Sequence, residues 1–415
     1  MNQKPQSSTQ GSDVNAAVSE RPELLPNATP MRQDDDRTVT LVTTTINVPR
    51  FLAEALDNAE KFGHGKQLRI VVVADRKTPD EVGRFLQELD AKYAAKVTYL
   101  DMAAQADLMR RWPALDLFIR FDCIQRRNIG YLQAAIDGSD VVITVDDDNF
   151  VTEDDFIGHH LAVGQTVELP VVSHPSGWWN VCERLVCDPS RRFYHRGFPK
   201  SEQDWEFGRH DVAVSSVRVV ANGGLWLGAP DVDATAHIEE PINVVGMSPV
   251  AGNRVCALAK GTWCPVNSQN TAFDASVLPA MWLPVMHDRV RGYRITRMDD
   301  IWMSFFVRAI ADGRGESVIY GPPLVLQERN PHNFLTDLSR ELAGYIITER
   351  LVGYLREFRT TATTYLGSYL DLIYHLRDAS GSDQSLEVPE REYLRSLTLG
   401  MAAWHAAIAD IQGEA

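Results

Sequence analysis

Three consecutive carboxylates follow a short apolar segment in the first half of the chain. Asp146, Asp147 and Asp148 come directly after Val141 to Val145. Adjacent carboxylates repel each other, and each loses hydration when a site closes over it. A hard divalent cation removes both costs and also bridges to diphosphate oxygens. An acidic turn would explain an isolated triplet, but its place after a buried strand favours a Mn²⁺ or Mg²⁺ site, with Asp146 and Asp148 as ligands.

Other charged residues lie where a nucleotide site could use them. Asp75 ends a second apolar segment and can accept hydrogen bonds from a base or ribose, although turns also use aspartate. Arg127 opens the helical segment that leads to the acidic triplet and could bind a diphosphate, with a solvated helix face as an equal alternative. Arg196 belongs to a basic cluster before a Gly-Phe-Pro turn, and a surface patch is its alternative.

Later in the chain, two acids and one histidine are further candidates. Asp299 and Asp300 precede an apolar helix, so they could bind sugar hydroxyls or move protons, although the helix dipole alone favours acids there. His332 stands in a polar loop as a candidate metal ligand or acid–base group. Six tryptophans could stack on a sugar, with core packing as their usual role: Trp178, Trp179, Trp226, Trp263, Trp282 and Trp302.

A scaffold for these residues follows from the spacing of the apolar residues. Helical periodicity separates four short apolar segments, which implies a mostly parallel sheet flanked by helices, a Rossmann-like α/β arrangement. The four predicted strands are Val39 to Ile46, Leu68 to Ala74, Val97 to Leu100 and Val141 to Val145.

Local signals predict where some helices begin and end. Asn47 can cap the first helix, with Pro49 in its first turn. Thr78-Pro79-Asp80-Glu81 has the form of a capping box. Residues 378 to 388 are polar and predict a linker between the last two helices.

Three regions follow from these patterns. We predict a disordered polar tail over residues 1–37, an α/β domain that carries the candidate site residues over 38–335, and a helical region over 336–415. The part from about 177 to 323 is rich in Trp, Pro and Gly and predicts ordered loops with mixed strands.

The composition limits the classes of partner that the protein could bind. A net charge of −15 over 415 residues disfavours nucleic acid and anionic membranes. No apolar run has the length of a membrane span, and the first residues lack the apolar centre of a signal peptide, so we expect a cytoplasmic protein. The five cysteines form no CxxC pair, which favours reduced thiols. No dinucleotide fingerprint is present, so no flavin is expected.

Several motifs occur in a specific shared order. They are Val145-Asp146-Asp147-Asp148-Asn149-Phe150-Val151, Arg196-Gly197-Phe198-Pro199, Gly224-Leu225-Trp226-Leu227, Pro230-Asp231-Val232-Asp233-Ala234, Lys260-Gly261-Thr262, Asn270-Thr271-Ala272-Phe273-Asp274, Pro279-Ala280-Met281 and Arg297-Met298-Asp299-Asp300-Ile301-Trp302. Each is weak alone, but together, from about residue 40 to 338, they resemble the reversibly glycosylated polypeptide family, the plant UDP-arabinopyranose mutases.

The resemblance implies a flavin-independent mutase that interconverts the pyranose and furanose forms of a nucleotide sugar on a GT-A-like domain with a divalent metal. It places Arg196 at the arginine that the family links to reversible sugar attachment. The implied catalytic residues are Arg196, Asp299 and Asp300, and the implied metal ligands are Asp146, Asp148 and His332. The implied nucleotide-sugar contacts are Thr44, Asn47, Asp75, Arg127, Asp146, Asp147, Trp226, Asp231, Asp233, Lys260 and Asn270.

Two segments depart from the family pattern. Gln327-Glu328-Arg329 stands where the family has His-Ser-Lys, so the late metal ligand is open and His332 is the nearest substitute. The base-reading segment Thr43-Thr44-Thr45-Ile46-Asn47 also differs, so the base could be guanine rather than uracil. The polar tail indicates a bacterial relative, for which GDP-fucose is a candidate substrate beside UDP-arabinose.

Two other functions fit the same sequence. A GT-A glycosyltransferase would share the fold and the acidic motif while passing the sugar to an acceptor. A non-catalytic nucleotide-sugar-binding subunit is the second alternative, because the C-terminal helices could serve assembly, and a homo-oligomer is equally open.

Overall fold

The computed structural model describes residues 36–203, 210–248, 255–286, 288–329 and 333–413, so most of the predicted tail lies outside the described residues. The strands are β1 Val39–Thr45, β2 Leu68–Ala74, β3 Lys96–Leu100, β4 Val141–Val145, β5 Asn149–Val151, β6 Thr166–Ser173, β7 Leu185–Asp188, β8 Asp211–Gly228, β9 Asn243–Met247, β10 Cys256–Leu258, β11 Asn270–Asp274, β12 Arg289–Val290, β13 Tyr293–Arg294 and β14 Ser317–Gln327.

The helices alternate with the early strands and then follow the last one. They are α1 Phe51–Lys61, α2 Glu81–Lys92, α3 Met102–Met109, α4 Pro113–Asp116, α5 Arg127–Ile136, α6 Phe156–His160, α7 Ala234–Glu239, α8 Asp299–Arg314, α9 Phe334–Glu357, α10 Tyr365–Ser382 and α11 Val388–Gln412. Short 3₁₀ turns cover Ile124–Arg126, Val181–Arg184, Lys200–Glu202 and Ala275–Ala280.

The first half of the main sheet is parallel, in the order β3-β2-β1-β4. β2 and β4 are almost continuous in Val, Ile and Leu because helices cover both faces of a parallel sheet. The register pairs Thr45 with Ala74, so both strands end at the same edge. Polar residues that follow these strands therefore meet along that edge.

Beyond β4 the sheet becomes mixed. β11 runs antiparallel between β4 and β8, and β14 pairs parallel with β8 along most of its length. β4, β8 and β14 therefore run in the same direction and bring their carboxyl ends to one edge. This α/β architecture, with helices on the sheet and at the C-terminus, confirms the predicted GT-A-like fold class.

The C-terminal helices pack on the sheet domain. α9 contacts α7 and α8, α10 contacts α8, and α11 contacts α4 and α5. The predicted division between residues 335 and 336 stays a prediction. Among the described residues, no helix combines the length and apolarity that a membrane crossing requires.

Three local predictions were wrong. α1 begins at Phe51 after Arg50, so Asn47 does not cap it. The capping box before α2 does not form, because the Thr78 hydroxyl donates to the carbonyl oxygen of Thr45 at 2.6 Å and ties β2 to β1 instead. The predicted linker over 378–388 is shorter, because α10 continues to Ser382.

A glycine sets how closely α5 approaches the sheet. A Cβ atom at Gly130 would lie 2.4 Å from a methyl carbon of Val42 and 3.0 Å from one of Val73. Because both strands are buried and packed, neither side chain can withdraw freely. Gly130 therefore fixes the position of α5, whose first residue is Arg127.

We expect Gly130→Ala to lower the free energy of unfolding by about 1–3 kcal/mol, the usual cost of overpacking a core. Gly353→Ala on the exposed side of α9 is the matched control, since its added Cβ would meet no atom within 4 Å. The control should gain roughly 0.5–1 kcal/mol from better helix propensity. Denaturant unfolding of both variants checks this, and unchanged stability of Gly130→Ala would contradict the close-packing argument.

Candidate active site

A cavity of about 290 Å³ opens at the edge where β4, β8 and β14 end. Its lining is dominated by charge, and the acids outnumber the cations. The acids are Asp122, Asp146, Asp148, Asp231, Asp299 and Asp300. The cations are Arg196, Arg297 and Arg329. Ligands of open α/β sheets bind at this end of the strands, so the cavity is the candidate site.

Arg127 holds Asp146 in place from beneath the cavity. Its guanidinium is 1% exposed and donates through Nη2 to Asp146 Oδ1 at 2.6 Å and to Thr44 Oγ1 at 3.0 Å. Its Nη1 donates to the carbonyl oxygen of Ser268 at 2.8 Å. Arg127 does not line the cavity itself, so its contacts position the acidic triplet.

Asp147 and Asp148, the other two residues of the triplet, lie in different surroundings. The Thr45 hydroxyl donates to Asp147 Oδ2 at 2.7 Å, which keeps Asp147 at the end of β1 and outside the cavity lining. Asp148 lines the cavity, and its carbonyl oxygen accepts from the backbone N–H of Glu328 at 3.0 Å. That bond joins the triplet to the end of β14.

Arg196 is clamped between two buried carboxylates. Its Nε donates to Asp231 Oδ1 at 2.8 Å, its Nη2 donates to Asp300 Oδ2 at 2.9 Å, and its Nη1 donates to the carbonyl oxygen of Arg297. The three side chains of this ion triad are 7% exposed or less. Burial disfavours the charged guanidinium, but Asp231 and Asp300 outweigh it and raise the pKa of Arg196 well above its ordinary value. Arg196 therefore stays a cation.

Gly197 allows this clamp to form. It has a φ of +79°, and a Cβ there would lie 2.3 Å from a methyl carbon of Ile301 in α8. Only glycine permits both the positive φ and this approach at low cost. The loop can therefore press Arg196 against the first turn of α8.

Asp299 is an acid of the cavity that no cation among the described residues pairs with. It begins α8 and is 3% exposed. Burial raises the pKa of Asp299 to about 7, the charge of Asp300 adds to the rise, and Arg196 opposes it. A carboxyl group that titrates near neutral pH can both accept and donate a proton.

Three other predicted residues lie close to this arrangement. Asp75 Oδ2 accepts from the backbone N–H of Cys123, a residue of the cavity wall, at 3.1 Å. Asn47 is exposed just past the end of β1. Asp233 lies behind the clamp, where it accepts from the Lys200 ammonium at 2.5 Å.

Three predicted contacts are not brought to the cavity. Lys260 is exposed, and Gly261 beside it bonds to Asp312, which lies twelve residues, or about 18 Å along α8, from Asp300. Asn270 is a sheet residue whose amide bonds to the Leu225 carbonyl oxygen. Trp226 is 3% exposed and packs edge-on against His195. The other five candidate tryptophans are also buried. His332 lies outside the described residues.

Sequence reasoning missed several residues of the wall. They are Asp122, Cys123, Gln125, Gln269, Thr296, Arg297, Gln327 and Arg329. Gln269 and Thr296 each precede a motif by one residue, and Arg297 stands inside one. Gln327 and Arg329 belong to the segment that departs from the family pattern, and Asp122, Cys123 and Gln125 lie two to five residues before Arg127. These positions are the signal that could have found them. Arg329 is the most consequential, because its half-buried side chain lies 3.6 Å from Asp231 and adds a cation at the edge that Lys260 does not reach.

The acidic side chains of the cavity, taken alone, supply only part of the ligand set that a divalent cation needs. Among the described residues, no group of three His, Cys, Asp or Glu side chains converges as a metal-binding set. The cavity nevertheless has a surplus of carboxylates and a buried amide oxygen, Gln327 Oε1, that has no hydrogen-bond partner among the described residues. Two carboxylates and a neutral oxygen suit Mg²⁺ or Mn²⁺, which complete their shells with phosphate and water.

The chain is similar to a known protein family and to several named proteins. A family model described as "Reversibly glycosylated polypeptide" matches residues 98–407. UDP-arabinopyranose mutase 3 of Arabidopsis thaliana is 27% identical over 268 residues, which cover 63% of this chain and 66% of that protein. Probable UDP-arabinopyranose mutase 2 of Solanum tuberosum is 28% identical over 214 residues, which cover 51% of this chain and 52% of that protein. The chain thus spans about half to two thirds of these relatives' lengths.

Two solved structures share a distant similarity. Glucosyl-3-phosphoglycerate synthase of Mycobacterium tuberculosis, in complex with Mn²⁺ and UDP-glucose, has a TM-score of 0.39 and 11% identity over 80% of this chain and 85% of that chain. A mannosyltransferase of Pyrobaculum calidifontis, in complex with GDP-Man and Mn²⁺, has a TM-score of 0.34 and 12% identity over 95% of this chain and 79% of that chain.

The raised pKa of Asp299 predicts a stability effect. Between about pH 4, where an unfolded aspartate ionises, and about pH 7, the folded state binds the proton that the unfolded state has lost. Stability should therefore fall as the pH rises through this window. Asp299→Asn removes that loss, so its melting temperature should exceed that of the wild type at pH 8 and approach it near pH 4. A difference that does not depend on pH would contradict the raised pKa.

Proposed function

The chain belongs to the reversibly glycosylated polypeptide family, and we propose that it is a metal-dependent, flavin-independent nucleotide-sugar mutase. In this proposal it interconverts the pyranose and furanose forms of a sugar linked to UDP or GDP. UDP-arabinose is a candidate because relatives are named UDP-arabinopyranose mutases. GDP-fucose is the second candidate because the Thr43–Asn47 segment departs from the family's base-reading segment.

The observation that carries the proposal is the pairing, in one small cavity, of a proton-transferring acid with a fixed cation. Asp299 titrates near neutral pH, and Arg196 stays charged beside it. At about 290 Å³ the cavity is at the small end of the range for ligand sites.

The rearrangement balances without any second substrate. The bond from C1 to the diphosphate oxygen breaks, the C1–O4 bond forms, the C1–O5 bond breaks, and the diphosphate bond to C1 re-forms. The O4 hydroxyl loses one proton and O5 gains one. Asp299 is suited to accept the first proton and return it, because its pKa near 7 makes both directions accessible.

The diphosphate must be stabilised while it is detached from C1. A divalent cation bound by Asp146 and Asp148 would neutralise its charge. Arg329 and Arg297 line the same cavity and would supply the further positive charge that the sequence had assigned to Lys260. Arg127 would act from behind, by keeping the Asp146 carboxylate aimed at the cation.

Arg196 would work as a fixed charge rather than as a nucleophile. A guanidinium attacks carbon only after it loses a proton, and Asp231 and Asp300 hold this one in its protonated form. Its positive charge would favour the departing diphosphate, and its fork would hold the two carboxylates that face the sugar. Covalent attachment of the sugar to Arg196 is therefore not part of the proposal.

Three broader features belong to the same proposal. A cytoplasmic location is supported by the free state of all five cysteines. The boundary between the catalytic domain and the helical region is supported by the change from strands to helices after Gln327. Assembly into a homo-oligomer through the C-terminal helices is the third feature.

We expect the purified protein, given only a UDP- or GDP-sugar and Mg²⁺ or Mn²⁺, to form an isomer of equal mass that elutes separately. No acceptor is needed because the reaction rearranges a single nucleotide-sugar molecule. Chelation with EDTA should stop the conversion, and returning the metal should restore it. Liquid chromatography with mass detection checks this, and a sugar product that forms only with an added acceptor would establish a transferase instead.

Two substitutions of Arg196 should distinguish the effect of its positive charge from the effect of its forked guanidinium. Arg196→Lys keeps one positive charge but cannot bridge both carboxylates, so turnover should fall by roughly a hundred- to a thousandfold. Arg196→Ala leaves two buried carboxylates uncompensated and should also destabilise the fold by about 3–5 kcal/mol. Arg191→Ala, outside the cavity, is the control and should stay within a fewfold of wild type. A folded Arg196→Lys enzyme with normal turnover would exclude a need for the fork.

A further inference from the structure

We infer that Gln327 provides the third protein ligand of the cation site, so that the site is built entirely from oxygen atoms. This inference rests on the proposed function, which places a divalent cation at Asp146 and Asp148. It adds a neutral ligand at the end of β14, and it determines which metals the chain should prefer.

The first support is the position of Gln327 in the sheet. It is the last residue of β14 and pairs in antiparallel register with Asn149 of β5. The next residue, Glu328, donates its backbone N–H to the carbonyl oxygen of Asp148 at 3.0 Å. The end of β14 is therefore tied directly to the acidic triplet, and Gln327, Asp146 and Asp148 line one cavity.

The second support is an unpaired oxygen. Three glutamines line the cavity, and two of them use their amide oxygens within the protein: Gln125 Oε1 accepts from the Cys123 thiol, and Gln269 Oε1 accepts from Asn267 Nδ2 at 3.1 Å. Gln327 is 4% exposed, and its Oε1 has no donor among the residues that the structure describes. An unpaired buried acceptor costs free energy, and a cation bound to it would remove that cost.

The chemistry of the lining explains why that ligand would be a cation. The wall carries six aspartates against three arginines, and Asp231 and Asp300 already share Arg196. A hydrogen-bond donor from a substrate would satisfy Gln327 but leave the surplus of negative charge. A divalent cation would both bind the Gln327 oxygen and reduce the surplus of negative charge. The amide oxygen is suited to this because it coordinates a cation without adding negative charge of its own.

The ligand set also predicts the metal. Two carboxylates and an amide are hard oxygen ligands, which suit Mg²⁺ and Mn²⁺, whereas an imidazole favours Co²⁺, Ni²⁺ and Zn²⁺. With glutamine at position 327, the site should therefore discriminate less strongly against Mg²⁺ than a site with histidine there. Replacement of this one residue should shift the preference.

Mn²⁺ binding by the full chain tests the inference independently of turnover. The electron paramagnetic resonance signal of free Mn²⁺ gives the Kd, with Mn²⁺ alone and with Mn²⁺ plus UDP or GDP. We expect Gln327→Ala to raise the Kd at least about tenfold, a typical loss for residues that support a metal site. Gln327→His should retain binding while the ratio of Co²⁺ to Mg²⁺ affinity rises, and Co²⁺ absorbance should report the new nitrogen ligand.

Gln269 supplies the matched control, because it lines the same cavity with its amide oxygen already bonded. Gln269→Ala should leave the Mn²⁺ affinity within about twofold. Gln327→Glu should tighten Mn²⁺ more than Gln269→Glu, since both add one charge but only the first would add it to a ligand. This comparison remains informative if Gln327→Ala fails to fold.

Two outcomes would overturn the inference and leave the proposed function standing. One is loss of Mn²⁺ in Asp148→Ala with no change in Gln327→Ala or Gln327→His. The other is a loss in His332→Ala alone, which would assign the late ligand to that residue. If the wild type binds no Mn²⁺ with either nucleotide, the inference fails together with metal dependence, and product analysis then decides whether the mutase activity survives without a metal.

Discussion

The ion triad of Arg196, Asp231 and Asp300 is the interaction on which the rest of the site depends. It joins the loop before Gly197, the segment after β8 and the first turn of α8, which are distant in sequence. Two carboxylates this deeply buried would be costly without a cation between them, and one guanidinium with several N–H donors can serve both. Within the part of the chain that the structure describes, the same triad leaves Asp299, the neighbour of Asp300, without a partner cation. The high pKa of Asp299 follows first from its burial and then from the charge of Asp300, and Arg196 offsets only part of the rise.

The fold supports this triad from two sides. On one side, Gly197 lets the loop pack against Ile301, so that Arg196 reaches both acids. On the other, Glu341 of α9 accepts from Arg297 Nε at 2.8 Å and from the backbone N–H of Ala234 at 2.9 Å. Glu341 is fully buried, and Arg297 has a positive φ of 65°. The C-terminal helices thus hold the cavity wall in a conformation that Arg297 would not adopt on its own.

The excess of negative charge in the cavity is the second constraint. Carboxylates collected at the ends of β4 and β8 and at the start of α8 raise the cost of every additional anion, yet the proposed substrate is itself a diphosphate. Charge compensation must therefore arrive with the ligand or be supplied by the wall. Arg329 and Arg297 provide part of it, and a divalent cation at Asp146 and Asp148 would provide the rest. A protein with a net charge of −15 could bind an anionic nucleotide sugar only through such local arrangement.

The amino-acid sequence by itself determined the parallel half of the sheet, because buried strands and amphipathic helices can be recognised from the local periodicity of their apolar residues. It also placed the acidic triplet directly after β4, and ordered motifs were enough to recognise the family. It could not determine side-chain partners across the chain, since Arg196 meets Asp300 over 104 residues and Arg127 meets Ser268 over 141. Thr78 looked like a helix cap because its local pattern fits one, but packing gave its hydroxyl a nearer acceptor on β1. Lys260 looked like a phosphate contact because it stands in a family motif, but the length of α8 separates its surroundings from the cavity. Only the tertiary structure decides such matters, because burial and distance depend on how the elements pack, and local sequence does not encode them.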